Sequence, residues 1–453
     1  MGIRGLWPQI ECIQEDVHIA SLEHKTLAID GYAFLHRGAH TCATELARGE
    51  PTDGYVQWVK RKLVKLRRHQ IRVVMVFDGR ALPAKSETNA TRRAERDANK
   101  LRGDQLYREG LPDEARDAYA DAIRVTPEMV AEVFAAVARQ FPGDDVQCIV
   151  APYEADAQIG YLAQTDAIDG AIAEDCDLFV YGVPLVIRYF DRQLNDKTEM
   201  PGLDRAFAYR RDDIFNHRCG TTGFEGFSDS QFMLACCLAK CDYIENIPRV
   251  AMKTAIKFVK RYREMEAVMR ALEWDYDVPA DYAERLERAL ATFRHQTVFD
   301  GATNAVVHLT PLSAEDVEEY GDWPNFLGGH IGSALAVDIA TCACHPTTHA
   351  RFQLAAPPAP PAPVATSDDD DAFWDMAVQE TQRQEDAHEA ALAQQRLEAA
   401  AALAPRKRPR DEDSAGDAPA RKRARVAEAL RIVGTFAGAV AVAWIVVWGL
   451  VHV

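Results

Sequence analysis

The sequence predicts an α/β fold for residues 1–350, built on a mainly parallel sheet with helices on its flanks. Short apolar runs alternate with longer helical patterns along this stretch, which is the pattern of a parallel sheet. The apolar runs are bounded by turn or helix signals, as buried strands are. The composition, 48% hydrophobic and 27% charged over 453 residues, is that of a globular protein with a sizeable core.

Four apolar runs are the candidate strands, at residues 26–30 (TLAID), 73–78 (VVMVFD), 147–151 (QCIVA) and 170–173 (GAIA). Aspartates close two of these runs, and an acidic turn, Glu-Asp-Cys-Asp, follows the last. In open α/β sheets the carboxyl ends of the strands form the ligand crevice. The acids at these ends are therefore candidates for one shared site.

The strongest local signal is the segment 151–158, which reads APYEADAQ. We expect Pro152 to begin a helix, with Glu154 and Asp156 near its positive end. Acids at a helix start need no further explanation when they stand alone, but the acidic turn 174–177 follows some twenty residues later. Buried acids with no basic partner nearby in sequence require a cation.

These acids form a pool of hard oxygen ligands, which selects Mg²⁺, or Mn²⁺ as the alternative, over zinc. Two such ions about 4 Å apart hold a scissile phosphodiester between them, which is nuclease chemistry. The predicted metal ligands are Asp30, Asp78, Glu154, Asp156, Asp175, Asp177 and Asp242.

The charge balance argues against a uniformly basic nucleic-acid coat, because 52 basic and 69 acidic residues give a net charge of −17. The basic residues are concentrated locally. Between residues 60 and 72 there are seven lysines and arginines and no acid. Such a run is usually a solvated helix face, but beside a nuclease site it is also a candidate phosphate track.

The composition changes after residue 350, where a Pro/Ala-rich and acidic stretch at 351–431 predicts a disordered linker. Two basic clusters, 406–410 and 421–425, are spaced as in a bipartite nuclear import signal, so we expect a nuclear protein; a solvated charge run is the alternative. Residues 432–453 contain no Asp, Glu, Lys or Arg. They form a candidate apolar transmembrane helix that would anchor the protein to a membrane, unless they pack on its body.

Six motifs occur in order along the chain, at residues 1–6 (MGIRGL), 29–36 (IDGYAFLH), 76–79 (VFDG), 151–158 (APYEADAQ), 174–177 (EDCD) and 241–243 (CDY). Together they resemble the structure-specific 5′ nuclease superfamily of flap endonucleases and XPG proteins. Tyr153, His36 and the turn at 49–53 are similar to its exonuclease 1 branch.

This resemblance implies a PIN-like sheet within a nuclease domain at 1–350, divided into an N-terminal region (1–100) and an internal region (141–235). It also implies a helical arch at about 85–140 and a helix-two-turn-helix region at about 236–265. The implied activity is Mg²⁺-dependent 5′ to 3′ exonuclease and 5′ flap endonuclease cleavage in DNA repair, replication or recombination. The implied partners are two Mg²⁺ ions and DNA with 5′ ends, flaps, nicks or gaps.

The resemblance also assigns roles to single residues. Asp175 and Asp177 are implied to act in catalysis as metal ligands, and Lys85 and Arg92 to contact the scissile phosphate. Tyr32 and His36 match positions that stack on the unpaired duplex end, although core packing of an early helix explains them equally well. The other implied DNA contacts are Gly2, Arg93, Arg96, Lys253 and Lys257.

One region departs from the superfamily's pattern. The glycines that normally shape the helix-two-turn-helix turn are missing from residues 246–255, and Lys240 replaces the glycine before the Cys-Asp-Tyr triplet. Glycine allows the close backbone approach on which the monovalent-ion site of that turn depends. The sequence therefore predicts that the catalytic acids are retained but that the binding of duplex DNA is altered.

Two other functions stay open at the level of sequence. One is a membrane-tethered nucleic-acid-binding protein whose catalysis is lost or secondary, and the other is an RNA-directed nuclease of the same fold. The presence of all seven acids favours an enzyme, because a binding module has no use for the mutual repulsion of so many carboxylates.

Overall fold

The structure, a computed structural model, describes residues 2–190, 204–217 and 223–352. Apart from residues 351 and 352, the predicted linker, its basic clusters and the candidate transmembrane helix lie outside the described residues. Within the described ranges, no helix is both long and apolar enough to cross a membrane.

A seven-stranded mixed sheet forms the centre of the fold, in the order β1-β7-β6-β5-β2-β3-β4. Five neighbouring strands, from β6 to β4, are parallel, while β7 and β1 add an antiparallel edge. A separate antiparallel hairpin is formed by β8 and β9. The strands are β1 Glu15–His18, β2 Thr26–Asp30, β3 Arg72–Phe77, β4 Val146–Val150, β5 Gly170–Ile172, β6 Leu185–Arg188, β7 Arg205–Arg210, β8 Thr297–Asp300 and β9 Ala305–His308.

The predicted α/β class with a mainly parallel sheet is confirmed, and all four candidate strands are present as β2 to β5 within one residue at each end. Their side chains are largely buried, as expected when helices cover both faces of a sheet. Strands β1, β6 and β7 were not predicted from the sequence. Strand β1 is mostly exposed and so lacks an apolar run, and β6 has only four residues.

The helices of the described residues flank this sheet and continue beyond it. They are α1 Trp7–Ile10, α2 Gly31–Ala39, α3 Ala43–Arg48, α4 Gly54–Arg68, α5 Ser86–Arg108, α6 Pro112–Asp121, α7 Pro127–Gln140, α8 Ala155–Gln164, α9 Arg211–Asn216, α10 Asp229–Leu238, α11 Met252–Tyr262, α12 Met265–Asp275, α13 Tyr282–His295, α14 Ala314–Tyr320 and α15 Ser333–Ala340.

One continuous hydrophobic core joins the sheet to the helices that follow it. Val186 and Tyr209 on the sheet belong to the same buried cluster as Phe232 on α10, Ile256 on α11 and Leu286 on α13. Burying each such side chain contributes about 1.5–3 kcal/mol. The segments 229–295 are therefore packed as part of the body that carries the sheet.

The predicted arch region consists of three helices with different packing. Helices α5 and α6 pack against each other as a hairpin, in which the Tyr119 hydroxyl donates to Asp104 Oδ1 at 2.9 Å. Helix α7 instead packs on α4 and β4, and its apolar face is buried. Residues 86–121 thus form a helical hairpin, of which α6 also packs on α3.

Two local expectations change in the structure. Helix α8 begins at Ala155 and not at Pro152, because residues 152–153 turn back to accept backbone hydrogen bonds from Gly79 and Arg80. In the helix-two-turn-helix region, α10 and α11 pack together and the connection between them places Lys240 and Arg249 at φ values of 94° and 70°. Both lie in the left-handed region that favours glycine, which fits the glycine replaced at position 240.

We expect Gly170→Ala to destabilise the protein by about 1–3 kcal/mol through overpacking. A Cβ atom at position 170, at the start of β5, would lie 2.6 Å from the Leu185 carbonyl oxygen and 2.8 Å from its Cβ. The measurement is the free energy of unfolding in urea. The control is Gly301→Ala, whose new Cβ would have no atom within 4 Å; equal midpoints for the two variants would contradict the packing assigned to β5.

Candidate active site

Acidic side chains line one edge of the sheet, at the carboxyl ends of four neighbouring strands. Asp30 is the last residue of β2 and Asp78 follows β3 directly. Glu154 lies four residues after β4, and the turn with Asp175 and Asp177 follows β5. Since β5, β2, β3 and β4 are adjacent and parallel, their carboxyl ends meet at the same edge.

Asp30 and Asp78 each hold the start of a helix. Asp30 Oδ1 accepts the backbone N–H groups of Tyr32 and Ala33, both at 3.0 Å, at the start of α2. Asp78 Oδ1 accepts the N–H of Ala155 at 2.8 Å, at the start of α8. Helix starts leave N–H groups without intrahelical partners and carry partial positive charge. These contacts orient both carboxylates and leave the second oxygen of each for another partner.

The N-terminus packs against the acidic turn after β5. Asp177, only 5% exposed, accepts the backbone N–H of Ile3 at 2.7 Å through Oδ1. Gly2 lies so close to Asp175 that a Cβ on it would stand 1.7 Å from the Asp175 Oδ1 atom. No other residue fits at position 2 without displacing this carboxylate. The structure thus brings Gly2 beside the acids, as the resemblance implies.

Two cations, one directly before α5 and one on it, reach the same edge of the sheet. Lys85 Nζ lies 3.1 Å from Glu154 Oε1 and 2.9 Å from Asp242 Oδ2. Arg92 Nη2 donates to both oxygens of Asp242, at 2.9 and 3.0 Å. No basic partner lies near these acids in sequence, but for Glu154 and Asp242 partners that are distant in sequence become neighbours in the fold.

The charges at this edge shift the protonation of its acids in opposite directions. Burial and the charge of Asp78 raise the pKa of Asp30 to about 7. Burial, followed by the charge of Asp175, raises the pKa of Asp156 and of Asp177 well above the ordinary range. Burial acts in the same sense on Asp242, but the charges of Lys85 and Arg92 outweigh it and lower the pKa of Asp242.

The donor atoms fit a hard divalent cation. Among the described residues, the one group with three ligand atoms within 4.8 Å of one another is Asp175, Cys176 and Asp177. Burial raises the pKa of Cys176 well above its ordinary range, and its Sγ faces the Ile3 carbonyl oxygen at 3.5 Å. A protonated thiol is a poor ligand for a hard cation, so the two carboxylates are the candidate ligands in this group. Oxygen ligands and mutual repulsion among nearby acids suit Mg²⁺ or Mn²⁺.

The aromatic and basic residues predicted to meet DNA lie beside the acids on α2 and α5. The Tyr32 hydroxyl donates to the Val125 carbonyl oxygen at 2.8 Å, and burial raises the pKa of Tyr32 to about 12. Burial and the charge of His40 lower the pKa of His36 to about 4, so that its imidazole is neutral at neutral pH. Arg96 interacts electrostatically with both side chains, whereas Arg93 is exposed.

The two lysines predicted to bind duplex DNA follow the last acid of the site in sequence and lie on one face of α11. Lys253 and Lys257 are exposed, one helical turn apart, while Met252, Ile256 and Val259 on the opposite face are buried. This amphipathic arrangement directs both ammonium groups outward. The structure leaves them accessible to a phosphate backbone.

Sequence reasoning missed three polar residues that complete the surroundings of Glu154. The Tyr243 hydroxyl donates to Glu154 Oε2 at 2.9 Å, and Tyr181 and Gln296 contact that hydroxyl in turn. Tyr243 directly follows Asp242 within the Cys-Asp-Tyr motif, which was a usable signal. No motif near Gln296 indicates a role at the site, because this residue reaches the site only through the packing of α13 and β8.

Glu174 has a different surrounding from its acidic neighbours. Its carboxylate lies 3.7 Å from Arg37 Nη1 and 3.5 Å from Arg188 Nε. The Arg188 guanidinium packs over the rings of Trp7 and Tyr189, at 4.1 and 4.2 Å from the ring centroids. Glu174 is thus part of a cation and aromatic cluster.

Comparison with known proteins agrees with the motifs. The XPG N-terminal domain model matches residues 1–99 and the XPG I-region model matches residues 145–242. Exonuclease 1 of Danio rerio is 35% identical over 317 residues, which cover 69% of this chain and 37% of that protein. The DNA damage-inducible protein DIN7 of Saccharomyces cerevisiae is 34% identical over 314 residues, which cover 69% of this chain and 70% of that protein.

Among solved structures, the catalytic core of Rad2 in complex with DNA substrate is 18% identical with a TM-score of 0.48, covering 72% of this chain and 96% of that one. The chain spans less than half of the length of the exonuclease 1 proteins of Danio rerio, Arabidopsis thaliana and Xenopus laevis. The similarity to DIN7 nevertheless extends over more than two thirds of both proteins. The chain therefore belongs to the XPG family of structure-specific 5′ nucleases, in its exonuclease 1 branch.

Proposed function

We propose that this protein is a divalent-metal-dependent DNA nuclease that removes nucleotides from 5′ ends and cleaves 5′ flaps. The observation that carries the proposal is the convergence of carboxylates from four adjacent strand ends with Asp242, which follows α10. Gathering so many like charges at one edge costs free energy unless a cation joins them. The named exonuclease 1 relatives support the same reaction class.

The proposed cofactor is Mg²⁺, with two ions per site, and Mn²⁺ as a substitute. When bound, such ions activate water and stabilise the charge on a phosphodiester undergoing in-line attack. The residues that would hold them are Asp30, Asp78, Glu154, Asp156, Asp175, Asp177 and Asp242.

Lys85 and Arg92 are proposed to bind the scissile phosphate. Lys85 sits at the entrance to α5 and its side chain is 13% exposed, so its charge is poorly screened by water. Although burial opposes it, the charges of Glu154 and Asp242 raise the pKa of Lys85 well above its ordinary range. A permanently charged ammonium beside a permanently charged guanidinium stabilises negative charge developing on phosphate oxygens.

The remaining DNA contacts follow from position and exposure. Tyr32 and His36 are proposed to meet the terminal bases, since neutral rings beside Arg96 offer stacking surfaces. Arg93 is proposed to contact the strand that enters the helical hairpin. Gly2 is proposed to act through its small size, because it allows the N-terminal segment to approach Asp175.

The proposed substrates are DNA ends, flaps, nicks and gaps met in repair, replication or recombination. These DNA substrates agree with a location in the nucleus, and the basic clusters at 406–410 and 421–425 are proposed to direct nuclear import. These clusters, and the segment 432–453 predicted to insert into a membrane, lie outside the described residues. Import and anchoring stay predictions.

The central test is cleavage of a 5′-labelled flap and of a recessed duplex by the full chain with Mg²⁺. We expect Asp175→Ala to lower the cleavage rate by about 10³-fold, equivalent to about 4 kcal/mol of lost transition-state stabilisation. The control is Glu174→Gln, which removes a neighbouring acid that pairs with Arg37 and Arg188. Cleavage that persists in Asp175→Ala would contradict the assignment of Asp175 to the metal site. Faster cleavage of a matched RNA flap than of the DNA flap would indicate an RNA nuclease instead.

The duplex grip has a separate test in binding. In an Asp175→Ala background, which prevents cleavage, we expect the additional changes Lys253→Ala and Lys257→Ala to reduce the slope of log affinity against log salt. The expected reduction is about 0.9 per phosphate contact removed. Fluorescence anisotropy with a labelled flap duplex measures it.

Lys25→Ala is the control for this binding test. Lys25 precedes β2, at the amino ends of the parallel strands, and pairs with Asp169 at 3.7 Å. Its removal is expected to leave the salt slope unchanged. An unchanged slope in the double α11 variant would show that this helix does not contact the duplex backbone.

A further inference from the structure

The carboxylate of Glu154 is held by two donors from different parts of the chain. Lys85 Nζ reaches Oε1 at 3.1 Å and Oε2 at 3.2 Å, and the Tyr243 hydroxyl reaches Oε2 at 2.9 Å. The Tyr243 O–H donates to the Glu154 carboxylate. Its own oxygen can therefore accept hydrogen bonds from other groups.

Two buried side chains donate to that oxygen. The Tyr181 hydroxyl lies 2.6 Å from the Tyr243 hydroxyl, and Gln296 Nε2 lies 3.2 Å from it. Gln296 Nε2 also lies 3.4 Å from the Tyr181 oxygen. Because Tyr243 donates its single proton to Glu154, it can only accept from the other two side chains. Gln296 therefore donates to Tyr181 and Tyr243, Tyr181 donates to Tyr243, and Tyr243 donates to the carboxylate. Hydrogen bonds aligned in this way polarise and strengthen one another.

The surroundings keep this chain of hydrogen bonds in place. Tyr181 is 2% exposed and Gln296 is 0% exposed. The rings of Tyr181 and Tyr243 both pack on Phe293, with centroids 5.1 and 4.9 Å away. Rotating either hydroxyl away would leave a buried polar group unpaired, which costs about 1–3 kcal/mol.

The network also joins the segments that carry the acids. Tyr181 follows the turn of Asp175 and Asp177, Tyr243 is adjacent to Asp242, and Glu154 precedes α8. Gln296 adds the junction of α13 and β8, far beyond the matched I-region, which ends at residue 242. This series of hydrogen bonds thus connects the three segments that carry the acids.

We propose that Tyr243 is a positioning residue of the metal site, which fixes the Glu154 carboxylate in the orientation that binds a divalent cation, and that Tyr181 and Gln296 hold Tyr243 in that role. This inference rests on the proposed function, since it assumes that Glu154 is a metal ligand. Groups that orient metal ligands typically contribute 10- to 100-fold to metal affinity.

The test is a titration of the full chain with Mn²⁺ alone, without DNA, followed by calorimetry or by the EPR signal of the free ion. We expect Tyr243→Phe, which removes one oxygen atom, to weaken Mn²⁺ binding by about 10-fold or more. The matched control is Tyr119→Phe, because the Tyr119 hydroxyl also donates to a carboxylate, Asp104, at 2.9 Å. That variant is expected to bind Mn²⁺ like the wild type.

A double-mutant cycle separates positioning from general loss of structure. If Tyr243 acts through Glu154, the change Tyr243→Phe has little further effect on Mn²⁺ affinity once Glu154→Gln is present. Additive effects of the two changes would overturn the inference. So would a Tyr243→Phe variant that binds Mn²⁺ as tightly as the wild type.

A second variant covers the case in which Tyr243→Phe does not fold. Tyr181→Phe removes the donor to Tyr243 and the oxygen that Gln296 Nε2 contacts at 3.4 Å, while Tyr243 keeps its contact with Glu154. It is expected to weaken Mn²⁺ binding by about threefold, within the range of one neutral hydrogen bond; unchanged affinity would then count against the inference. Failure of the wild type to bind Mn²⁺ is a different result, because it contradicts the metal site of the proposed function itself.

Discussion

The repulsion between carboxylates gathered at one edge of the sheet is the constraint on which the rest of this structure depends. Like charges a few ångströms apart in a partly buried cleft oppose folding unless each finds a partner. The protein supplies partners of three kinds: helix starts for Asp30 and Asp78, a backbone N–H for Asp177, and the cations Lys85 and Arg92 for Asp242. These partners are fixed parts of the protein, so the acids are oriented before any ligand binds.

The sheet topology explains why the acids meet. Parallel strands require crossover connections, which carry the chain from the carboxyl ends of the strands back to their amino ends before the next strand begins. Four consecutive strands in space, β5-β2-β3-β4, therefore present their carboxyl ends side by side. The antiparallel strands β7 and β1 extend the sheet without contributing to the acidic edge. Asp242 reaches it from outside the sheet, carried by the packing of α10 on the core.

The cations couple this edge to the helical hairpin. Lys85 immediately precedes α5 and Arg92 lies about two turns into it, so both project from one face of the helix start. Their contacts with Glu154 and Asp242 tie the position of the hairpin to the charge state of the site. Glu154 thus lies between the ammonium group of Lys85 and the phenol of Tyr243.

The sequence by itself determined the α/β class, the four central strands and the acids that follow them, because strand burial and the ends of strands leave local signals in apolar runs. The motifs shared with the XPG family also singled out Gly2, Lys85 and Arg92 as candidate site residues. Only the tertiary structure decided which charges are paired. Lys85 and Glu154 are 69 positions apart, and Gln296 lies 53 positions beyond Tyr243. Such partners are chosen by how helices pack on the sheet, a long-range outcome that no local pattern of residues records.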